Sequence, residues 1–147
     1  MDNIRAFMRR DRFALHTGIE LLEVEEGRAK ARLILQPHHL NGVRIAHGGA
    51  IFTLADLAFA AASNSYGTVA VGINVSISYV KAVSEGALLA EAQETSRSSR
   101  LATYTVRVTD EAGDLVAIFQ GMVYRKAERL PEAGEETSAR GCATSGS

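Results

Sequence analysis

The chain has 147 residues, 46% of them hydrophobic and 22% charged, with sixteen Lys plus Arg against seventeen Asp plus Glu. That length forms one ordinary globular domain and buries roughly two-thirds of the unfolded surface without metals or disulfides. The formal charge of −1 offers neither the basic face of a duplex-DNA binder nor a polybasic patch for an anionic membrane. Cys142, the single cysteine, has no internal partner, so no oxidising compartment is required. Asp2, Arg5, Arg9, Arg10, Asp11 and Arg12 interrupt the N-terminus before an apolar run forms, so no secretory leader is expected. The most apolar stretch, Ala50 to Ala62, is 13 residues around an aspartate, too short to span a bilayer. A soluble, cytoplasmic protein without nucleic-acid or membrane partners is expected.

In chain order, residues 2–13 read as a short amphipathic helix with Ile4, Phe7 and Met8 on one side. Glu20 to Val24 and Arg28 to Leu35 are strand-like and joined at Gly27, which suits a tight turn. Pro37 and Asn41-Gly42 mark a loop. After Gly48-Gly49 comes the one long helix, Ala50 to Ala62. Val71, Ile73, Val75, Ile77 and Tyr79 then alternate with smaller or polar residues, which predicts a strand with those five on one face. Ala87 to Glu94, Thr103 to Thr109 and Leu115 to Tyr124 follow, spaced as consecutive antiparallel neighbours. The expectation is a single domain over 1–126, with an N-terminal helix in 1–13. Residues 127–147, where Leu130 is the only large apolar side chain, read as a disordered tail.

Between Ala50 and Ala62 only Thr53 and Asp56 are polar. A helix apolar almost all round belongs inside a fold. An antiparallel sheet of about six strands wrapped around this one central helix would house it, an α+β arrangement. Asp56 then needs a reason. It has no basic partner one turn away, and an ionised carboxylate in an apolar interior is costly. Either it reaches water or a hydroxyl at the helix edge, or it is a base or nucleophile facing a cavity.

His47-Gly48-Gly49 opens the same helix. The first amides of a helix are unpaired and lie at its positive end, and glycines there let a substrate oxygen approach the backbone, as in an oxyanion hole. Asp56 lies eight residues beyond Gly48, roughly 12 Å along a helix. If both act on one bond, the acid comes from one subunit and the amide from another, which requires a dimer with two equivalent sites.

Leu40-Asn41-Gly42, His47-Gly48-Gly49 and Leu54-Ala55-Asp56 with Phe59-Ala60 together resemble the hotdog-fold acyl-CoA thioesterases, especially the phenylacetic-acid-degradation branch. The similarity continues through Ser63-Asn64-Ser65, Ile77-Ser78-Tyr79 and Ala117-Ile118-Phe119-Gln120-Gly121. It spans about residues 15–126. The resemblance implies the hotdog fold and hydrolysis of aryl-acetyl or short- to medium-chain acyl-CoA. It makes Asp56 the general base or the nucleophile, with the Gly48 amide polarising the carbonyl from the partner subunit. It also implies that Asn41 and His47 orient the water or the thioester. From the residues alone, Asn41 is equally a turn residue beside Gly42, and a helix cap is the alternative reading of His47. Some relatives hold the water with a serine after the helix; Gly72 stands there in this chain, which leaves Asn74 or Thr68 as substitutes. The resemblance further implies that such dimers pair again into a homotetramer.

Gly49 shares the helix opening, and Phe59, with Phe52 and Leu57, is a candidate lining for an acyl pocket. The phosphates of coenzyme A want cations on an accessible rim. Arg97 and Arg100 in Ser96-Arg97-Ser98-Ser99-Arg100 are the candidates, with Lys81 as a further one. No cofactor is expected, since coenzyme A belongs to the substrate, and no metal, since His38-His39 lack an acid at matching spacing. Other enzyme classes are disfavoured: there is no Gly-x-Ser-x-Gly, phosphate loop or dinucleotide fingerprint, and no proline lies between an Asp and a His as in hotdog hydratases. The rival reading is a non-catalytic acyl-CoA sensor of the same fold.

Overall fold

A computed structural model of the chain, in which residues 1–133 are described, begins with two short helices rather than one. Helix α1 (Asp2–Met8) stops before Arg9, and α2 (Arg12–Thr17) starts afresh. The break has a local cause. The Asp11 carboxylate accepts the Ala14 N–H at 3.0 Å, and an aspartate cap at this position starts a new helix instead of continuing the old one. Gly18, left-handed at φ 95°, ends α2.

The expected hairpin follows as β1 (Glu20–Glu25) and β2 (Arg28–Ile34). A 3₁₀ turn at Pro37–His39 leads to the long helix α3 (Gly48–Asn64), which exceeds its expected span at both ends. Then come β3 (Thr68–Tyr79), β4 (Ala87–Arg97), β5 (Leu101–Thr109) and β6 (Leu115–Arg129). All six strands form one antiparallel sheet in the order β1-β2-β4-β5-β6-β3.

This order corrects the expectation of four consecutive neighbours at the C-terminal end. β4 pairs with β2, not with β3, and β3 closes the opposite edge beside β6. Spacing could not tell these apart; the faces could. In the β2–β4 register Ala29, Ala31 and Leu33 lie opposite Ala92, Ala90 and Leu88. These six are buried and form a shallow apolar bed on which α3 rests. Leu54, Ala55, Ala58, Ala61 and Ala62 of α3 are completely buried. Small side chains on both layers let helix and sheet approach closely.

β3 differs from the other strands of the sheet. Val71, Ile73, Val75 and Tyr79 are all exposed, so one long apolar edge is open. Its register with β6 slips between Gly72 and Asn74, leaving Ile73 as an extra residue. The bulge overturns the expected single-faced alternation. Val71 pairs with Tyr124, whereas Val75, Ile77 and Tyr79 pair with Gly121, Phe119 and Ala117. Paired residues share a face, so Val71 turns outward while Val75 and its successors turn towards α3.

β6 runs to Arg129, beyond the boundary expected at residue 126. Leu130 is buried, its N–H donates to the Gly67 carbonyl at 3.0 Å, and the Ala133 N–H reaches Asn3 Oδ1 at 3.3 Å. The buried side chain and these two hydrogen bonds together hold the segment against the domain. The rest of the expected tail, with Cys142, lies outside the described residues. Among the described residues no helix is long and apolar enough to cross a membrane.

Candidate active site between the central helix and the edge strand

A cleft of about 380 Å³ separates α3 from β3, bordered by Asp56, Phe59, Ala60, Ser63, Gly72 and Ile73 among others. The helix supplies Asp56, Phe59, Ala60 and Ser63 at three- and four-residue spacing, which puts them on one face. Alanine and serine leave the gap; Phe59 fills its floor. The Asp56 carboxylate is half-buried and makes no hydrogen bond or ion pair among the described residues. Burial raises its pKa above the usual 3.8, and the negative charge of Asp11 raises it further. Asp11 is 45 positions away in sequence, and nothing in the linear pattern links the two.

The opening of α3 is assembled by His47 and Tyr79. His47 caps the helix: its Nδ1 accepts the Gly49 N–H at 2.8 Å. The Gly49 amide is thereby spent and cannot also receive a substrate oxygen, which corrects its expected binding role. The Gly48 amide has no acceptor among the described residues. The Tyr79 hydroxyl donates to the Gly48 carbonyl at 2.8 Å, a contact that sequence alone did not single out.

Asn41 adopts the turn geometry. Its Oδ1 accepts the N–H groups of Val43 and Ile45 at 3.1 and 3.3 Å, holding the loop in which Arg44 takes φ 61°. His39 is engaged on both ring nitrogens. Nδ1 accepts the Gln36 N–H at 2.9 Å, so Nε2 carries the proton and donates to the Thr17 carbonyl at 2.6 Å.

The other expected binding residues stand away from Asp56 or turn from it. The bulge pairs Asn74 with Met122 on the outer face of the sheet, so Asn74 borders the cleft by its backbone and does not point its carboxamide at Asp56. Thr68 pairs with Arg129 at the end of β3 and does not border the cleft. Arg97 and Arg100 flank the β4–β5 turn, at the sheet end that holds the C-terminus of α3 and opposite Gly48. Arg97 Nε lies 3.3 Å from Glu94 Oε1, and its guanidinium stacks 4.1 Å above the Tyr66 ring. Tyr66 and Tyr104 donate to the same Glu94 Oε2 at 2.6 and 3.2 Å, so Arg97 belongs to a satisfied network. Arg100 is exposed and forms no ion pair among the described residues. Lys81 is held by Asp110 and Asp114 at 2.6 and 2.8 Å.

A larger groove of about 630 Å³ runs over β1, β2, β4 and β5 and is bordered by charged residues such as Glu23, Arg28, Lys30 and Arg107. None of the expected catalytic residues borders it. The smaller cleft holds the expected catalytic acid, a carboxylate unpartnered among the described residues in a partly dehydrated, apolar setting.

Residues 44–117, about half of the chain, match the Thioesterase superfamily. The chain is 48% identical over 112 residues to a protein of Archaeoglobus fulgidus, covering 76% of this chain and 73% of that one. It is 32% identical to the acyl-coenzyme A thioesterase PaaI of Escherichia coli, over 84% of this chain and 89% of the relative. The solved E. coli PaaI protein superposes with a TM-score of 0.84 at 30% identity, over 88% of this chain and 95% of that one. A Streptococcus mutans protein solved with acetyl CoA gives a TM-score of 0.72 at 26% identity, over 76% and 91%.

Proposed function

The chain belongs to the thioesterase superfamily and is a hydrolase of acyl-CoA thioesters, and we propose that Asp56 drives the hydrolysis at a site completed by a second copy of the chain. The observation that carries this reading is the placement of Asp56. It is a half-buried carboxylate without a partner among the described residues, in a cleft that opens along an apolar edge strand.

As general base, Asp56 takes a proton from water while the water oxygen bonds to the thioester carbonyl carbon. The negative charge then gathers on the carbonyl oxygen, which the free Gly48 amide of the second copy receives. Collapse breaks the carbon–sulfur bond, and the coenzyme A thiolate leaves with the proton held by Asp56. As nucleophile, the Asp56 carboxylate would instead attack the carbonyl carbon and expel the coenzyme A thiolate, leaving a mixed anhydride that water hydrolyses to the free acid and the regenerated carboxylate. Within one chain Asp56 and Gly48 are roughly 12 Å apart, which is why the second copy is needed. An exposed edge strand such as β3 favours pairing with another copy. A homodimer is therefore the minimum, and pairs of dimers would give the tetramer.

The Phe59 floor and the small residues beside Asp56 suit an aryl-acetyl or a short- to medium-chain acyl group. The E. coli relative comes from a phenylacetic acid degradation operon, which favours phenylacetyl-type substrates; a cytoplasmic setting is part of the same proposal. Of the three expected cations, Arg100 is the one without an ion pair among the described residues and is the candidate to meet a coenzyme A phosphate. His47 and Asn41 act by shaping the helix opening, and no cofactor beyond the coenzyme A of the substrate takes part.

The test is release of free thiol from acetyl-, phenylacetyl- and octanoyl-CoA. Asp56→Asn keeps shape and volume while removing the base, so kcat should drop by about 10²–10⁴ with folding intact. Near-wild-type turnover in this variant would refute the assignment. Binding of acyl-CoA without thiol release from the wild type would favour the sensor instead.

A further inference from the structure

The Gly48–Gly49 peptide group is gripped at both ends. Its carbonyl oxygen accepts the Tyr79 hydroxyl at 2.8 Å, and its N–H donates to His47 Nδ1 at 2.8 Å. The peptide group before it is also anchored, because the His47 carbonyl accepts the N–H groups of Ala50 and Ile51 at 2.9 and 3.2 Å. The Gly48 N–H belongs to that preceding plane, joined to the gripped one at the Gly48 Cα, and has no acceptor among the described residues.

Two successive glycines make a poor platform for a catalytic donor. They have the widest range of backbone angles, and a helix opening on them tends to fray. The same glycines permit a substrate oxygen to come close, so the looseness must be removed from outside. Tyr79 is placed to do so. It ends β3, pairs with Ala117 and so turns towards α3. A Cβ at Gly48 would stand 3.1 Å from both Tyr79 Cζ and the hydroxyl, so the phenol approaches this closely because residue 48 is glycine. Burial pushes the Tyr79 phenol above its usual 10, so the hydroxyl remains a donor at neutral pH.

We infer that Tyr79 is a positioning residue for thioester hydrolysis: by pinning the peptide that follows Gly48, it aims the Gly48 amide at the carbonyl oxygen. This rests on the reading above, in which that amide receives the oxyanion. It also ties assembly to chemistry, since the residue that braces the amide stands on the strand offered to the second copy.

Tyr79→Phe tests it, because the ring stays and only the hydroxyl goes. Losing an oxyanion donor outright costs about 10²–10³ in kcat. A donor that is present but loosely aimed should cost less, on the order of 5- to 30-fold, with KM within about twofold. The sedimentation state, the denaturant midpoint and the acid limb of the pH profile should stay as in the wild type. His47→Ala removes the other grip on the same peptide. The double variant should therefore lose less than the product of the single losses, since coupled residues are not additive. An unchanged kcat in Tyr79→Phe, or losses that simply multiply, would overturn the positioning role while leaving the hydrolase reading intact. A wild type without thiol release would overturn that reading and this role together.

Discussion

Phe59 occupies the space that a side chain on Gly121 would need: a Cβ there would stand 2.6 Å from the ring Cζ and 2.7 Å from Cε2. The ring also lies edge-on to Tyr104, with centroids 5.8 Å apart, and tilted against Phe119 at 5.3 Å. On the β3 side a Cβ at Gly72 would meet Phe59 Cε1 at 3.3 Å. Two glycines on adjacent strands thus form a hollow in the sheet, and a phenylalanine one turn beyond Asp56 fills it. This seating fixes how close α3 lies to β3 and how wide the cleft is.

Gly121→Ala should therefore be costly. The ring is trapped between Tyr104 and Phe119 and cannot swing away, so overpacking should remove about 1–3 kcal/mol of stability. Gly72→Ala should cost less, because its Cβ would only graze the ring edge on an exposed strand. Urea midpoints of the two variants rank them. Equal midpoints would mean that Phe59 moves freely and that its seating does not hold the cleft.

The pH dependence follows from Asp56 and Asp11. A base works deprotonated, so kcat/KM should rise with pH through the folded-state pKa of Asp56, which burial and then Asp11 raise above 3.8. Asp11→Asn removes the like charge and still caps α2. Its acid limb should move to lower pH yet stay above that of an ordinary aspartate, because burial remains. The linkage has the matching sign. A carboxyl with a raised folded pKa opposes folding while ionised, and the penalty fades as pH falls through that pKa towards the unfolded value. Asp56→Asn should thus be more stable than the wild type at neutral pH and lose that advantage in acid. An acid limb that stays put in Asp11→Asn would mean that the two carboxylates do not communicate.

Subunit complementation tests the shared site. On the proposed dimeric site, Asp56→Asn and Gly48→Pro should each disable both sites of their own homodimer. A mixed dimer pairs wild-type Asp56 of one chain with wild-type Gly48 of the other in one of its two sites. Random pairing makes half of the dimers mixed, so activity should return to about a quarter of the wild-type value. The proline is tolerable locally: His47 already has φ −62° and ψ 132°, the extended conformation that a following proline demands, and the first helical position accepts proline. The Tyr79 ring must yield by a few tenths of an ångström. If both parents fold and exchange subunits but the mixture stays inactive, the two groups do not act on one bond in trans.

Much of this was legible in the residues. The run from Ala50 to Ala62 has too little polarity for a surface helix, which made it the centre of the fold and made Asp56 conspicuous. Helical rise alone separated Asp56 from Gly48. The hairpin at Gly27 and the strands after Asn64 followed from turn residues and period two. Each of these is a local property, carried by a few neighbouring side chains and by fixed repeat geometry.

Strand order, the bulge at Ile73 and the residues that meet across space were decided only by the tertiary structure. β4 joined β2 because their alanine-rich faces together form a bed for α3, a preference that exists only once the helix is in place. The bulge sent Asn74 outward, away from Asp56, since one extra residue inverts every later side chain on a strand. Arg97 found Glu94 and Tyr66, Asp11 came to bear on Asp56, and Tyr79 reached Gly48 across 31 positions. Such contacts depend on the sum of all packing choices along the chain. Sequence therefore determined which groups the protein has for chemistry, and the packed sheet and helix determined which of them meet.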